Sequence, residues 1–441
     1  MKKILILGAG LVARPLVRYL LDQPDFHVEV ASRTVSKAVN LIDGHPQGTA
    51  KELNLKNEDS LRGEIENADL VISMVPYSFH PKVAKFCIDF NKHMVTTSYV
   101  SEIMQSLDAE AKRAGILILN EIGLDPGIDH MEAMRIIHDV EEKGGEISSF
   151  TSYCGGLPAP EANTNPFGYK FSWSPIGVLL AGKNSAQYLK EGQQAFIPSE
   201  NLFVDYSIIP IEGLGDFEGY PNRNSLPYID LYGIKSTKTM LRGTLRNLGW
   251  CPTMKKIADI GLLDEREADW SGLTYAEFMR KLMNKSPDAD IREALSSHLE
   301  IPPDSDIIQR FDWLGLLSEE PLAVTKGSAL DILGARMLEK LQYEEGERDM
   351  IILQHTFDAS YSEGSNERIT STLIDFGIPN GDSSMARTVG LPAAIATKLI
   401  LEEKINKTGV HIPVQPEIYN PILKELKNMG ISFKEKREDL G

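Results

Sequence analysis

A short apolar run, Lys3-Ile4-Leu5-Ile6-Leu7, is followed at once by Gly8-Ala9-Gly10-Leu11-Val12-Ala13 and then by an amphipathic stretch to Leu21. Nothing else in the chain constrains the fold as much. The run reads as a buried parallel strand, and G-x-G-x-x-A between strand and helix reads as a dinucleotide-binding turn. Gly8 permits the tight turn, Gly10 lets the backbone approach a pyrophosphate, and Ala13 lets helix and strand pack closely. The helix N-terminus then offers free N–H groups to phosphates. A glycine turn without a ligand is the plainer alternative.

Strand-like runs recur at 27–31, 70–74, 93–97 and 116–119, with helical patterns between them. Repeated strand–helix units predict an α/β fold with an N-terminal Rossmann domain, a doubly wound parallel sheet. We place that domain at 1–129 and expect about 385–441 to return to it, with a strand at 431–434. Residues 130–251 and 343–384 read as a mixed α+β substrate and dimerisation domain. Residues 252–342 read as a helical insertion.

The second strand ends in Ala31-Ser32-Arg33-Thr34. Enzymes that use NAD place a carboxylate here to accept hydrogen bonds from the ribose 2′-OH. A hydroxyl and a planar cation suit a 2′-phosphate instead, so the predicted cofactor is NADP. The alternative is that Arg33 is a solvated charge and either cofactor binds.

In such sheets ligands bind beyond the carboxyl ends of the strands. Met74-Val75-Pro76-Tyr77, Thr97-Ser98-Tyr99 and Asn120-Glu121-Ile122-Gly123-Leu124-Asp125-Pro126-Gly127 fall there. Asp125, Tyr99 and Cys154 are the titratable candidates for proton transfer. Asp-Pro-Gly is also a common turn, and a lone cysteine is often a small buried hydrophobe. Arg223, and the segment Arg242-Gly243-Thr244-Leu245-Arg246, could clamp carboxylates or remain surface cations.

The chain has 441 residues, which suggests two or three domains, and a net charge of −17, which repels nucleic acid and anionic lipid. Three scattered cysteines show neither a disulfide framework nor zinc spacing, so we expect no metal and a reducing, cytoplasmic setting. No apolar run is long enough for a membrane span, and Gly8, Gly10, Arg14 and Arg18 interrupt any signal-like reading of the N-terminus.

Taken in order, Gly-Ala-Gly-Leu-Val, Ser-Arg-Thr, Val-Pro-Tyr, Thr-Ser-Tyr, Gly-Leu-Asp-Pro-Gly-Ile-Asp-His, Cys-Gly-Gly-Leu-Pro-Ala-Pro, Asn-Pro-Phe-Gly-Tyr-Lys-Phe-Ser-Trp-Ser-Pro and Arg-Gly-Thr-Leu-Arg resemble the glutamate-forming saccharopine dehydrogenase family over nearly the whole length. The resemblance implies NADP-dependent interconversion of saccharopine with glutamate and aminoadipate semialdehyde. It implies cofactor contacts at Gly8, Gly10, Leu11, Val12, Ala13, Ser32, Arg33, Thr34, Val75, Thr97, Ser98, Leu124, Asp125 and Pro126. Asn54-Leu55 stands where the family often has Asp-Val. Substrate contacts are implied at Ser98, Tyr99, Asp125, Arg223, Thr244, Leu245 and Arg246. A homodimer and a stand-alone reductase are expected. Two alternatives are a carboxynorspermidine or homospermidine-type imine reductase, whose polyamine substrates call for acids more than arginines, and a catalytically silent cofactor-binding regulator.

Overall fold

The computed structural model describes residues 1–362 and 364–441. Strands β1 (Lys2–Leu7), β2 (Phe26–Ser32), β3 (Gly48–Glu52), β4 (Leu70–Ser73), β5 (His93–Val95) and β6 (Leu117–Leu119) join the Gly409–His411 strand in one sheet. Its order is Gly409–His411, β6, β5, β4, β1, β2, β3, with every pair parallel. Ile4 to Leu7 are fully buried, as a strand covered on both faces requires. Strand order reverses at β1, which has β2 on one side and β4 on the other, and that reversal opens a crevice at the strands' carboxyl ends.

The second sheet holds β7 (Gly145–Pro158), β8 (Ala186–Lys190), β9 (Gln193–Ile197), β10 (Ser207–Ile211), β11 (Gly215–Pro221), β12 (Thr239–Arg246), β13 (Asp349–Tyr361), β14 (Asn366–Phe376) and β15 (Phe433–Asp439). Its main path runs β10, β11, β12, β7, β13, β14, β15; β8 attaches at β12 and carries β9 on its other side. Among the described residues, β12 and β7 are the pair of this sheet that runs parallel. The Ile128–Glu142, Ser384–Leu401 and Pro416–Asn428 helices connect the two sheets. One apolar cluster passes from Ile4 and Ile72 through Ile136, Leu399 and Ile422 to Phe150, Phe357 and Leu373. Leu157, Leu245 and Ile352 belong to a second cluster with five helices between Trp250 and Lys340.

Two expectations change. β3 was not foreseen, because Gly-Thr-Ala-Lys-Glu has no apolar run. The strand expected at 431–434 does not return to the first sheet: Phe433–Asp439 pairs antiparallel with β14. Its sequence, Phe-Lys-Glu-Lys-Arg-Glu-Asp, is nearly all charged and suits a solvated antiparallel edge, not a doubly covered parallel strand. The Gly409–His411 strand makes the return instead.

The Ser384–Leu401 helix touches both halves of the site. Asp349 accepts from the Ser384 and Met385 amides at 2.6 and 2.8 Å, capping its N-terminus. A Cβ on Gly156 would stand 2.5 Å from the Met385 methyl, and one on Gly390 would stand 2.9 Å from the Val12 carbonyl oxygen. Gly390, which faces backbone, is therefore a close-approach position, whereas the Met385 methyl at Gly156 ends a flexible side chain.

Candidate active site

The turn after β1 is built as its sequence suggests. Gly8 has φ +111° and a Cβ there would lie 2.7 Å from the Met74 carbonyl oxygen. A Cβ on Gly10 would meet nothing within 4 Å, so the loop faces open space. Leu11 is 71% exposed, while Ala13 is fully buried against the sheet. The Ala13–Leu21 helix has no side-chain cap at Val12 and no acid in its first turn. The Ala13 amide donates to the Gly10 carbonyl at 3.2 Å and Pro15 has no N–H, so the Arg14 amide is the one in the first three helix positions left for an anion. The residues present fit a pyrophosphate. Gly8→Ala should weaken NADP binding about tenfold or more, from strain of about 1–3 kcal/mol, and calorimetric titration with unchanged affinity would remove the loop from the cofactor site.

At the other end of the cofactor crevice, Ser32 Oγ accepts from the Thr34 amide at 3.2 Å. Arg33 is exposed and, among the described residues, forms no ion pair. Asn54 Oδ1 accepts from the Lys56 amide at 3.0 Å, shaping the neighbouring turn, and Leu55 is half-buried beside it. A site with an arginine and no carboxylate on the end of β2 fits a 2′-phosphate. Val75 and Thr97 are half-buried at the ends of β4 and β5. Leu124 and Pro126 are buried, and their carbonyls accept from the Asp129 and Gly123 amides at 3.0 and 2.9 Å.

Across from the turn, Tyr99 Oη donates to Asp125 Oδ1 at 3.0 Å. Arg242 Nη2 donates to Asp125 Oδ1 and to Asp129 Oδ2, each at 2.5 Å. The guanidinium of Arg242 lies 4.2 Å from the Tyr228 ring centre, and that of Arg223 lies 5.0 Å from the Tyr99 ring centre. One cation thus serves two nearly buried carboxylates. Burial pushes the Asp125 carboxyl up against the pull of Arg242, and the Asp129 charge adds to the rise. In Asp129 burial acts the same way but is outweighed by His130, Arg242 and the Gly127 amide, so its carboxyl is held down. Burial, aided by Asp125, pushes the Tyr99 phenol and the Cys154 thiol far up. Both keep their protons at neutral pH, which leaves Asp125 as the member of the three able to exchange one.

Behind this pair, His130 Nε2 meets Glu121 Oε2 at 2.8 Å and Nδ1 meets Tyr232 Oη at 2.6 Å. Glu121 Oε1 also accepts from the Val100 amide at 2.9 Å, which ties the loop after β5 to the loop after β6.

Further along β12, side chains alternate in direction, so Arg242, Thr244 and Arg246 share a face. Thr244 is in register with Cys154 on β7. Leu245 points the other way into the core, and only its backbone is placed toward the site. Arg246 is 6% exposed, lies 5.0 and 5.5 Å from the Tyr169 and Trp250 ring centres, and donates to the Leu245 carbonyl at 2.8 Å. Among the described residues its Nε has no partner, and neither do the buried Tyr169 Oη, Ser172 Oγ and Trp250 Nε1. Glu218, opposite Arg246 on β11, is spent on the Gly249 and Cys251 amides, each at 2.6 Å. Among the described residues no carboxylate pairs with Arg246, and a buried guanidinium left so suits an anionic ligand. Arg223 is exposed at a cavity of about 350 Å³ that Asn184, Ser185, Gln187 and Asn224 also line.

Sequence reasoning singled out Asp125, Tyr99, Cys154 and Arg246; the structure joins Tyr99 to Asp125, and sets Cys154 in register with Thr244 on the strand that carries Arg246. That reasoning gave no role to Asp129, Glu121, His130 or Tyr228, and offered Arg242 only as one of a segment that could clamp a substrate carboxylate, not as the partner of Asp125 and Asp129. The alternation Arg-x-Thr-x-Arg on one strand face was the signal that could have found Arg242.

The comparisons agree with this geometry. Residues 4–119 match the family model described as saccharopine dehydrogenase NADP binding domain, and residues 123–431 match saccharopine dehydrogenase C-terminal domain. The chain is 43% identical over 447 residues to the saccharopine dehydrogenase (NADP+, L-glutamate-forming) of Saccharomyces cerevisiae, covering 99% of both chains. It is 38% identical over 443 residues to the mitochondrial alpha-aminoadipic semialdehyde synthase of Rattus norvegicus, covering 98% of this chain and 47% of that one. A solved apo saccharopine dehydrogenase (L-Glu forming) from Saccharomyces cerevisiae superimposes with a TM-score of 0.92 at 41% identity, covering 99% of this chain and all of that one. With matches that span both sheets and the site between them, the chain belongs to the saccharopine dehydrogenase family.

Proposed function

We infer that this protein is an NADP-dependent oxidoreductase that interconverts saccharopine with L-glutamate and 2-aminoadipate 6-semialdehyde. Full-length identity to enzymes named for this reaction supports the reading. The observation that carries it is the buried Arg246, which among the described residues has no ion pair, on the same face of β12 as the Arg242 that holds the acid Asp125. A substrate with three carboxylates around a secondary amine fits such a site.

Bound NADP supplies hydride acceptance, and NADPH hydride donation, at the carbon beside that amine. The Arg14 amide and Gly8 to Ala13 hold the pyrophosphate, and Ser32, Arg33 and Thr34 hold the 2′-phosphate. Asn54 and Leu55 border the adenine, and Val75, Thr97, Ser98, Leu124, Asp125 and Pro126 line the nicotinamide side. Arg223, Arg246, Thr244, the Leu245 backbone and Ser98 bind the carboxylates. Asp125 takes the proton from the secondary amine and returns it during imine hydrolysis, held in place by Tyr99 and Arg242. Cys154 walls the pocket as a thiol.

Absorbance at 340 nm, followed with saccharopine and either NADP or NAD, tests the assignment. Turnover that prefers NADP supports it. Turnover with carboxynorspermidine and none with saccharopine would overturn it. Arg246→Leu should raise the saccharopine KM about a hundredfold, by loss of charge-assisted hydrogen bonds of about 1.5–3 kcal/mol each. The NADP KM should stay put, and the free protein should lose little stability because no carboxylate is left unpaired.

The working form we propose is a cytoplasmic homodimer. Exposed Phe196, Val204, Tyr206 and Ile208 near the edge formed by β9 and β10 offer an apolar surface for a second copy, and free Cys87, Cys154 and Cys251 suit a reducing compartment. Among the described residues no helix is long and apolar enough to cross a membrane. Light scattering on the eluted protein reads the assembly directly.

A further inference from the structure

His80 opens the His80–Asp89 helix and is 3% exposed. Its ring bridges the ends of two adjacent strands. Nδ1 lies 2.9 Å from Ser73 Oγ on β4, and Nε2 lies 2.8 Å from Ser98 Oγ, just past β5. Thr96 Oγ1 stands 3.4 Å from the same Nε2 and accepts from the Ser98 amide at 3.4 Å. Among the described residues no carboxylate pairs with the ring. Burial lowers its pKa to about 4, so it is neutral at neutral pH.

A neutral imidazole has one donor and one acceptor, so its tautomer decides what Ser98 can do. If Nδ1 carries the proton, it donates to Ser73, the Ser98 hydroxyl is spent on Nε2, and Ser98 offers only lone pairs outward. If Nε2 carries the proton, Ser73 donates to Nδ1, Nε2 donates to Ser98, and the Ser98 O–H is free. A carboxylate accepts hydrogen bonds and donates none. It can be bound by Ser98 only in the second arrangement.

We propose that His80 is a positioning residue that, as the Nε2–H tautomer with the Ser73 hydroxyl donating to Nδ1, turns the Ser98 hydroxyl into a hydrogen-bond donor toward a carboxylate of the substrate. This rests on the reading of Ser98 as a substrate contact. The Ser73–His80–Ser98 chain works without any charge change, and it ties substrate affinity to a strand end that the substrate does not touch.

The test uses the full chain and measures kcat and the KM values for saccharopine and NADP. His80→Leu should raise the saccharopine KM about tenfold, the scale of one hydrogen bond, and leave the NADP KM within about twofold. His80→Gln, whose amide N–H reaches the place of Nε2, should recover most of that loss. Ser73→Ala, which takes away the donor that the Nε2–H tautomer needs at Nδ1, should raise the same KM about threefold and decides the matter if His80→Leu does not fold. In a Ser98→Ala background neither change should add anything. An equal effect of His80→Leu or Ser73→Ala in that background, or no recovery with His80→Gln, overturns the proposal and leaves Ser98 as a contact in its own right. A Ser98→Ala protein with the native saccharopine KM removes the contact itself, a different failure.

Discussion

Arg242→Leu should cost about 3–5 kcal/mol of folding stability and abolish measurable turnover. The size follows from what the guanidinium leaves behind. Asp125 and Asp129 are nearly buried, and each receives a 2.5 Å hydrogen bond from the same Nη2. Without it, two like charges share one dry pocket, and one must take a proton. Asp125, already pushed up, is that one. It then enters the reaction protonated and cannot accept from the amine. Denaturant unfolding followed by circular dichroism measures the first effect, and NADP reduction measures the second. The double variant Arg242→Leu, Asp129→Asn should regain most of the stability but none of the turnover. A single variant with the native unfolding midpoint would show that the pair contributes nothing to the fold.

Converting the end of β2 with Ser32→Asp and Arg33→Ala should raise the NADP KM about a hundredfold and lower the NAD KM. The lost arginine contacts are worth about 1.5–3 kcal/mol each, and the new carboxylate repels a 2′-phosphate while accepting from a 2′-OH. Nothing else need move, since Arg33 is exposed and its removal strands no partner. Steady-state kinetics with both cofactors reads the swap. An NADP KM unchanged in the variant would mean that the phosphate is held elsewhere.

The phosphate turn was readable because every residue that builds it lies within a dozen positions, where local rules apply. Asp125 and Tyr99 were readable as strand-end residues, and Arg246 through its motif. Arg242 was not read as the partner of Asp125 and Asp129, because these lie 117 and 113 residues away and only the stacking of two sheets brings them together. Arg246 could equally be read as a surface cation, because burial is a property of the fold and not of the residue. β3 and β15 went astray for a common reason: neither has the apolar rhythm that marks a strand, and each is set by a neighbour distant in sequence.

The Ser384–Leu401 helix has a consequence for how this chain can change length. Surface loops can gain or lose residues at little cost. This helix cannot, because each residue inserted within it, beyond the Ser384 and Met385 amides that Asp349 caps, rotates everything that follows by about 100°. One insertion would carry Gly390 away from the Val12 carbonyl and bring a side-chain-bearing neighbour into a gap that already allows no Cβ. Its register is therefore fixed like a gear tooth: relatives that keep this active site should show insertions and deletions before Asp349 and after Leu401, and none between Ser384 and Gly390.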